Sequence, residues 1–481
     1  MKERIIGALA VVGASALAAC ALWLWFSRSG AGQLRPRLPG EDGAAQAVSN
    51  DAATAQNVAI GESFQAFGGN ATDMPGSWPC FRGPDRNNVG KEPVPLATAW
   101  PSNGPPVLWS ADLGEGYAGP AVHKGRVYVL DYDEKAQADM LRCFALRDGH
   151  ELWRRGYHVH AKRNHGFSRT VPAVTDQYVV TLGPQCHVMC VDAVSGDLRW
   201  GLDLVRDYGT TVPLWYAGQC PLIDGGLAIL APGGTNLLMA VDCATGRVVW
   251  QAPNPHGWQM SHSSVAITTV GGRRMYVYFA VGGIAGVAAD GPDAGRVLWE
   301  SAEWAPNVVA PTPVPLDDGR LFLTVGYGGG SEMLQVAASE TGFAAKVLYK
   351  LPKTVFACEQ QTPILYKGCL WSILPKDAEA LRGQLACMRP DGTLAWTSGK
   401  AQRYGLGPFL IADDKVLILT DEGILTLLSA DPNGYTRLAE TKVLQGREAW
   451  APMALAGGLL VLRDEKRMLC VDLRAGERNV P

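Results

Sequence analysis

Short apolar runs of strand length return along the chain at intervals of 43 to 52 residues: RVYVLD (126–131), YVVTLG (178–183), LAILAP (227–232), MYVYFA (275–280), LFLTVG (321–326), LWSILP (370–375), VLILTD (416–421) and LLVLRD (459–464). Each follows another apolar stretch that ends in a polar or glycine-containing turn, among them PAVHKG from Pro120, PLIDGG from Pro221, PILYKG from Pro363 and PMALAGG from Pro452. Two apolar runs around a Gly/Asp turn predict a hairpin. A third strand and a further turn come next, most plainly in VDAVSGDLRW (191–200) and VDCATGRVVW (241–250). The glycines of these later turns are Gly149, Gly196, Gly246, Gly295, Gly342, Gly392, Gly434 and Gly476, each predicted in the left-handed region. Trp153, Trp200, Trp250, Trp299 and Trp396 lie four residues beyond five of them, a large ring at one fixed place per repeat for packing between wedges.

One β unit every 40–50 residues is the signature of a β-propeller, whose four-stranded blades bury their faces against their neighbours. Only five residues follow Gly476, so the last repeat lacks a fourth strand, whereas VLWSADL (107–113) copies LRWGLDL (198–204) with no earlier strands before it. The early segment is therefore expected to complete the final blade and to remove the exposed edges of an open sheet. The prediction is an all-β chain: an eight-bladed β-propeller of four-stranded blades, closed by its N- and C-terminal strands and preceded by one transmembrane helix.

That helix is read from the 22 residues Ile5 to Phe26, which carry no charge and are long enough to cross a bilayer core of about 30 Å. Lys2 and Arg4 precede it, favouring a cytoplasmic N-terminus. Leu17-Ala18-Ala19-Cys20 also resembles a lipoprotein cleavage box, but the residues after Cys20 stay apolar, which favours an uncleaved signal anchor. The expected organisation is a signal anchor over 1–26, a flexible linker over 27–76, a propeller over 77–476 and a tail over 477–481. The propeller is expected in the periplasm or outside the cell. A net charge of −3 carries no basic footprint of a nucleic-acid binder.

Cys143, Cys190 and Cys470 each stand six residues before a turn glycine, a recurring third-strand position that predicts small, buried thiols. A disulfide from Cys358 to Cys369, on adjacent strands of blade six, stays open. His158, His160 and His165 have a spacing that could suit a metal, but Lys162 and Arg163 lie between them, so a solvated loop is expected and no metal site. The Gly326–Gly330 stretch lacks the strand-to-helix context of a phosphate loop.

WPCFRGPDRNNVG (78–90), RTVPAV (169–174), LAILAPGG (227–234), VDCATGRVVW (241–250), LFLTVGYGGG (321–330), VLILTDEGILTLLSA (416–430) and MLCVDLR (468–474) resemble the bacterial PQQ-binding-like β-propeller repeat proteins. These include relatives of the quinoprotein alcohol dehydrogenases and of the propeller lipoprotein of the outer-membrane barrel-assembly machinery. The resemblance runs from about Trp78 to Arg474. It implies either a binding or scaffolding module or a dehydrogenase using PQQ and Ca²⁺ on alcohols or sugars. The dehydrogenases carry an adjacent-cysteine disulfide beneath the quinone, and no two cysteines are adjacent here.

Residues just before the innermost strands should ring the channel mouth. Tyr117, Arg169, Gln219, His262, Gln360, Trp450 and, one residue further out, Tyr404 occupy those places. Such a mixture suits a polar or anionic small ligand, with Arg169 as a fork-shaped anchor, or else it satisfies strand-end backbone groups. The reading is a membrane-anchored binding or scaffolding propeller with no cofactor. Its partners are envelope or membrane proteins, or a small polar ligand in the channel.

Overall fold

The computed structural model describes residues 20, 22–24, 58–339 and 342–476. The chain divides into two compact units, Met1–Ala55 and Gln56–Pro481, and the second contains the repeats. The predicted membrane segment lies outside the described residues except for Cys20 and residues 22–24, which are helical. Among the described residues no helix is long and apolar enough to cross a membrane. The 477–481 tail and most of the 27–76 linker also fall outside them.

Eight sheets form eight blades, each with four antiparallel strands of the repeat. Blade one runs from Ala121–His123 to Glu151–His158, blade four from Ala266–Val270 to Val297–Ser301, and blade seven from Phe409–Ala412 to Arg437–Lys442. The second strands are buried on both faces, as in Arg320–Val325 and Lys415–Leu419, because a neighbouring blade covers each side. This is why they read as unbroken apolar runs. Outer strands have one solvated face, so Gly342–Leu351 alternates exposed and half-buried residues.

Blade eight takes its outer strand from the beginning of the propeller, as expected: Val107–Asp112 pairs antiparallel with Arg467–Asp472. The body begins earlier than residue 77. Ser63–Ala66 adds a fifth strand outside Glu151–His158, with Arg155 lying over the Phe64 ring and Arg154 over Phe67. Residues 72–97 then strap across the face formed by the first-hairpin turns. Trp78 bridges Val122 of blade one, Val89–Gly90 joins Phe409–Ala412 of blade seven in parallel, and Leu96 bridges Arg474.

A single device repeats where the third strand meets the fourth. The register shifts by one residue just after Cys143↔Trp153, Cys190↔Trp200, Ala240↔Trp250, Gly286↔Trp299 and Cys387↔Trp396. Cys470↔Trp109 falls at the corresponding shift in blade eight. A bulge adds twist and re-aims the side chain beside it. Here it turns the indole toward the next blade in every case but Trp299, and the residue opposite is small in each pair. The recurrent cysteines are therefore spacers beneath a ring. All eleven cysteines are free thiols. Cys358 lies in the connection before blade six rather than on a strand, and neither it nor Cys369 is in a disulfide.

The indoles of blades eight, one, two and three land on turn glycines. A Cβ added to Gly196, whose φ is 73°, would sit 2.7 Å from the Trp153 ring. The left-handed prediction holds for six of the eight turn glycines but fails at Gly434 and Gly476, which have no positive φ.

Candidate functional site at the channel mouth

The connections that carry the chain from one blade's outer strand to the next blade's inner strand gather around the end of the channel opposite the strap. Arg169, in the connection between blades one and two, reaches furthest. Its guanidinium donates to the carbonyls of Trp215, Asn164 and His165, the last two at 2.7 Å. It also lies over the Tyr117 ring, 5.3 Å from the centroid. Burial lowers its pKa to about 10. Arg169 thus clasps main chain from two loops through its Nε and Nη2.

Tyr117 connects Arg169 to the far side of the mouth. Its ring packs on Trp450 with centroids 5.2 Å apart, and its hydroxyl donates to Glu448. Trp450 in turn donates its indole N–H to Asp421 at 2.8 Å, and Asp421 accepts from the backbone of Leu406 at 2.7 Å. Burial raises Asp421 above the usual carboxylate range. Glu465 is raised as well, by burial and by the neighbouring Glu448 and Glu115.

On the blade-three side Trp215 stacks on Tyr327, centroids 5.7 Å apart, and packs against His262 at 5.9 Å. Burial, with Arg169 nearby, drives the His262 pKa down to about 3, so its imidazole is neutral. Lys376 lies over the other ring of this stack, 5.6 Å from the Tyr327 centroid, and pairs with Glu359 at 3.1 Å. The Gln360 side chain lies close to the Tyr327 hydroxyl.

The structure therefore brings together Tyr117, Arg169, His262, Gln360 and Trp450. Gln219 belongs to the scaffold: it is buried, donates to the Ala231 carbonyl at 3.1 Å and accepts from the Ala231 N–H at 3.0 Å, closing a strand end. Tyr404 stands apart from the mouth. Its connection turns outward, its N–H donates to Gly383, and its hydroxyl meets that of Tyr435, 2.7 Å away. Three mouth residues escaped the sequence reading: Trp215, Tyr327 and Glu448. Trp215 sits six residues before Pro221 rather than two or three, and Tyr327 lies inside the Gly-rich turn considered only for phosphate. The histidine cluster is engaged locally, His158 with the Ala136 carbonyl at 2.9 Å and His160 with Gln137 at 2.5 Å.

A tricarboxylate quinone paired with calcium would need cationic donors for its carboxylates and converging acidic ligands for the ion. The donors of Arg169 already serve three carbonyls, and Glu448 and Glu465 crowd the opposite wall. Among the described residues no three His, Cys, Asp or Glu side chains converge as metal ligands.

A family model described as outer membrane protein assembly factor BamB matches residues 137–347. No curated protein matches the sequence. Among solved structures, BamB from Moraxella catarrhalis superposes with a TM-score of 0.50 at 12% identity, covering 76% of this chain and 99% of its own. Quinohemoprotein alcohol dehydrogenase from Comamonas testosteroni gives 0.56 at 13% identity, covering 91% of this chain and 85% of that one. The enzyme ADHIIG from Pseudomonas putida HK5 gives 0.52 at 13%, covering 85% and 82%. Similarity at these identities establishes architecture and leaves chemistry to the site. With eight bulged four-stranded blades and a strand-exchanged closure, the chain has the architecture of the PQQ-like β-propeller repeat proteins, and residues 137–347 match that family's sequence pattern.

Proposed function

We propose that this protein is an extracytoplasmic binding or scaffolding module, held at a membrane through residues 1–26, whose channel mouth docks an envelope protein. The observation that carries this reading is the state of the mouth: Trp215, Tyr327 and Trp450 are half-buried rings whose neighbouring polar groups are already engaged. Rigid aromatic anchors that lose little entropy on contact are what hot spots of protein interfaces use. The charged groups that a catalytic centre would keep poised are here tied to backbone or to one another. Recognition rather than turnover follows from that arrangement. Similarity to BamB, described as an outer membrane protein assembly factor, supports the reading, as does the apolar N-terminal run.

The test is a photo-crosslinker placed at Leu214, exposed beside Trp215, in native membranes. One recurring envelope protein is expected, and it should disappear in a Trp215→Ala, Trp450→Ala double variant that still melts cooperatively. A protein that yields no recurring adduct, or that oxidises alcohols or sugars with an artificial dye once given PQQ and Ca²⁺, would overturn the proposal.

A further inference from the structure

The segment WPCFRGPDRNNVG is not part of the repeat, and the structure gives it a place. It closes the end of the channel opposite the mouth: Val174 of blade two donates to the Pro79 carbonyl at 2.8 Å, and Arg82 donates to Pro363, before blade six, at 3.1 Å. Between this strap and the inner strands of blades three to six lies a cavity of about 330 Å³. That is within the range of small-molecule sites.

Two guanidiniums, Arg82 and Arg86, line it. Arg82 is 4% exposed, and its Nε is buried without a partner. A buried guanidinium with no counter-charge is costly, and the usual remedy is a carboxylate. Asp85, which stands between the two arginines in sequence, pairs instead with Lys91 at 2.6 Å. Asp85 and Asp317 stand exposed at the cavity rim. Burial lowers the Arg82 pKa to about 9, opposed by the nearby Cys358.

The opposite wall supplies hydroxyls. Ser264 and Thr312, each directly before a strand opening, line the same cavity and are buried. Ser264 Oγ accepts from the Cys220 N–H at 3.0 Å, and Thr312 Oγ1 accepts from the Ser264 N–H at 3.3 Å. A hydroxyl that accepts from backbone still has its own proton to donate. The cavity therefore collects donors on both walls and holds its acids at the rim.

We propose that this cavity binds a small oxyanion, a carboxylate or phosphate group, gripped by Arg82 and Arg86 from the strap and by the Ser264 and Thr312 hydroxyls from the ring. The planar fork of arginine matches the geometry of either group. The site is separate from the mouth and does not depend on what docks there.

The test is calorimetric titration of the full-length protein in detergent with inorganic phosphate and, separately, acetate, with ionic strength fixed by chloride. Saturable binding of at least one is expected, weakened at least tenfold by Arg86→Ala and by Arg82→Lys, which keeps the charge and loses the fork. Arg169→Lys at the mouth should leave it unchanged. If Arg82→Lys fails to melt cooperatively, Arg86→Ala carries the test, because that side chain is only half-buried. No saturable heat from either anion, binding indifferent to Arg86→Ala, or binding lost in Arg169→Lys instead would each overturn the assignment.

Discussion

The two sides of the ring hold their blades together differently. From blade eight through blade three, Trp109, Trp153, Trp200 and Trp250 each lie on the turn glycine of the following blade, where an added Cβ would come within 2.6 to 2.9 Å of the ring. Three of these indoles also donate across the joint, to Leu146 at 2.7 Å and to Val194 and Cys243 at 2.9 Å. From blade four onward the seat lapses. Trp299 turns back to Met275 of its own blade, Tyr349 stands where blade five would carry an indole, and a Cβ on Gly434 would meet nothing within 4 Å. Buried acids do not follow that division, since Asp131 of blade one pairs with Arg142 at 2.9 Å and Glu115 with Arg163 at 2.6 Å, but one of them stands without a cation. Asp139, on the seated side, has only the hydroxyls of Tyr157 and Ser168, whereas Glu332 and Glu359 across the ring each pair with a lysine, at 3.0 and 3.1 Å. Identical topology is thus locked by an indole seated on a glycine on one side and held without that seat on the other.

The largest effect should come from the strand where the seated series begins. Removing Val107–Asp112 uncovers the edge of Arg467–Asp472 and takes Trp109 off Gly149, so both the closure and the first seat go together. A broad, multi-step melt with aggregation is expected in place of one transition. A single unchanged calorimetric peak would mean that the ring does not depend on its closure.

Asp139 tests the seated side by pH. Burial raises its pKa from 3.8 to about 7, against the pull of the Tyr157 and Ser168 hydroxyls. The folded protein keeps this proton to about pH 7 while an unfolded aspartate releases it near 3.8, so this group makes stability fall as pH rises between those values and level off above. The span corresponds to on the order of 4 kcal/mol. Asp139→Asn, neutral throughout, should flatten that part of the profile and be more stable than the native chain at pH 8 by urea denaturation. An undiminished slope would assign it to other groups.

A matched pair of glycine substitutions sharpens the contrast. Gly246→Ala places a Cβ 2.7 Å from the Trp200 ring at a φ of 73°, and about 1–3 kcal/mol of destabilisation is expected. Gly434→Ala meets open space without a positive φ and should be neutral or gain about 0.4–1 kcal/mol by restricting the unfolded chain. Equal losses at both positions would dissolve the distinction between the two sides.

The same division explains what the sequence made legible. Period, strand order and closure could be read because each blade repeats its own local pattern of apolar run, turn and ring. What the ring touches could not: Trp200 meets Cys243 and Gly246 of another blade, more than forty residues on, and nothing local to Trp200 marks them. At the mouth, Arg169, His262 and Trp450 were found because they keep a fixed distance from strand openings. Trp215 and Tyr327 come from connections of unequal length, where no period helps, and Tyr404 keeps the right spacing in a connection that folds outward. The fifth strand of blade one was hidden most completely, since the segment around Ser63–Ala66 lies in an aperiodic stretch and packs through main-chain pairing and cation–ring contacts.

The finest test concerns whether the unseated joints keep anything of the indole clasp. Tyr349 crosses to blade six and donates its hydroxyl to Pro390 at 2.9 Å, just as Trp396 donates its indole N–H to Pro432 at 3.0 Å. A Cβ on Gly392 would lie 3.5 Å from the Tyr349 ring, an ordinary contact, so the shape-locked seat is absent while the hydrogen bond persists. Tyr349→Phe preserves the ring and removes only that bond, and about 1 kcal/mol should be lost, seen as a lower urea midpoint with unchanged slope. If the midpoint does not move, ring packing alone joins blades five and six, and the conserved element of the clasp is the aromatic surface rather than its donor.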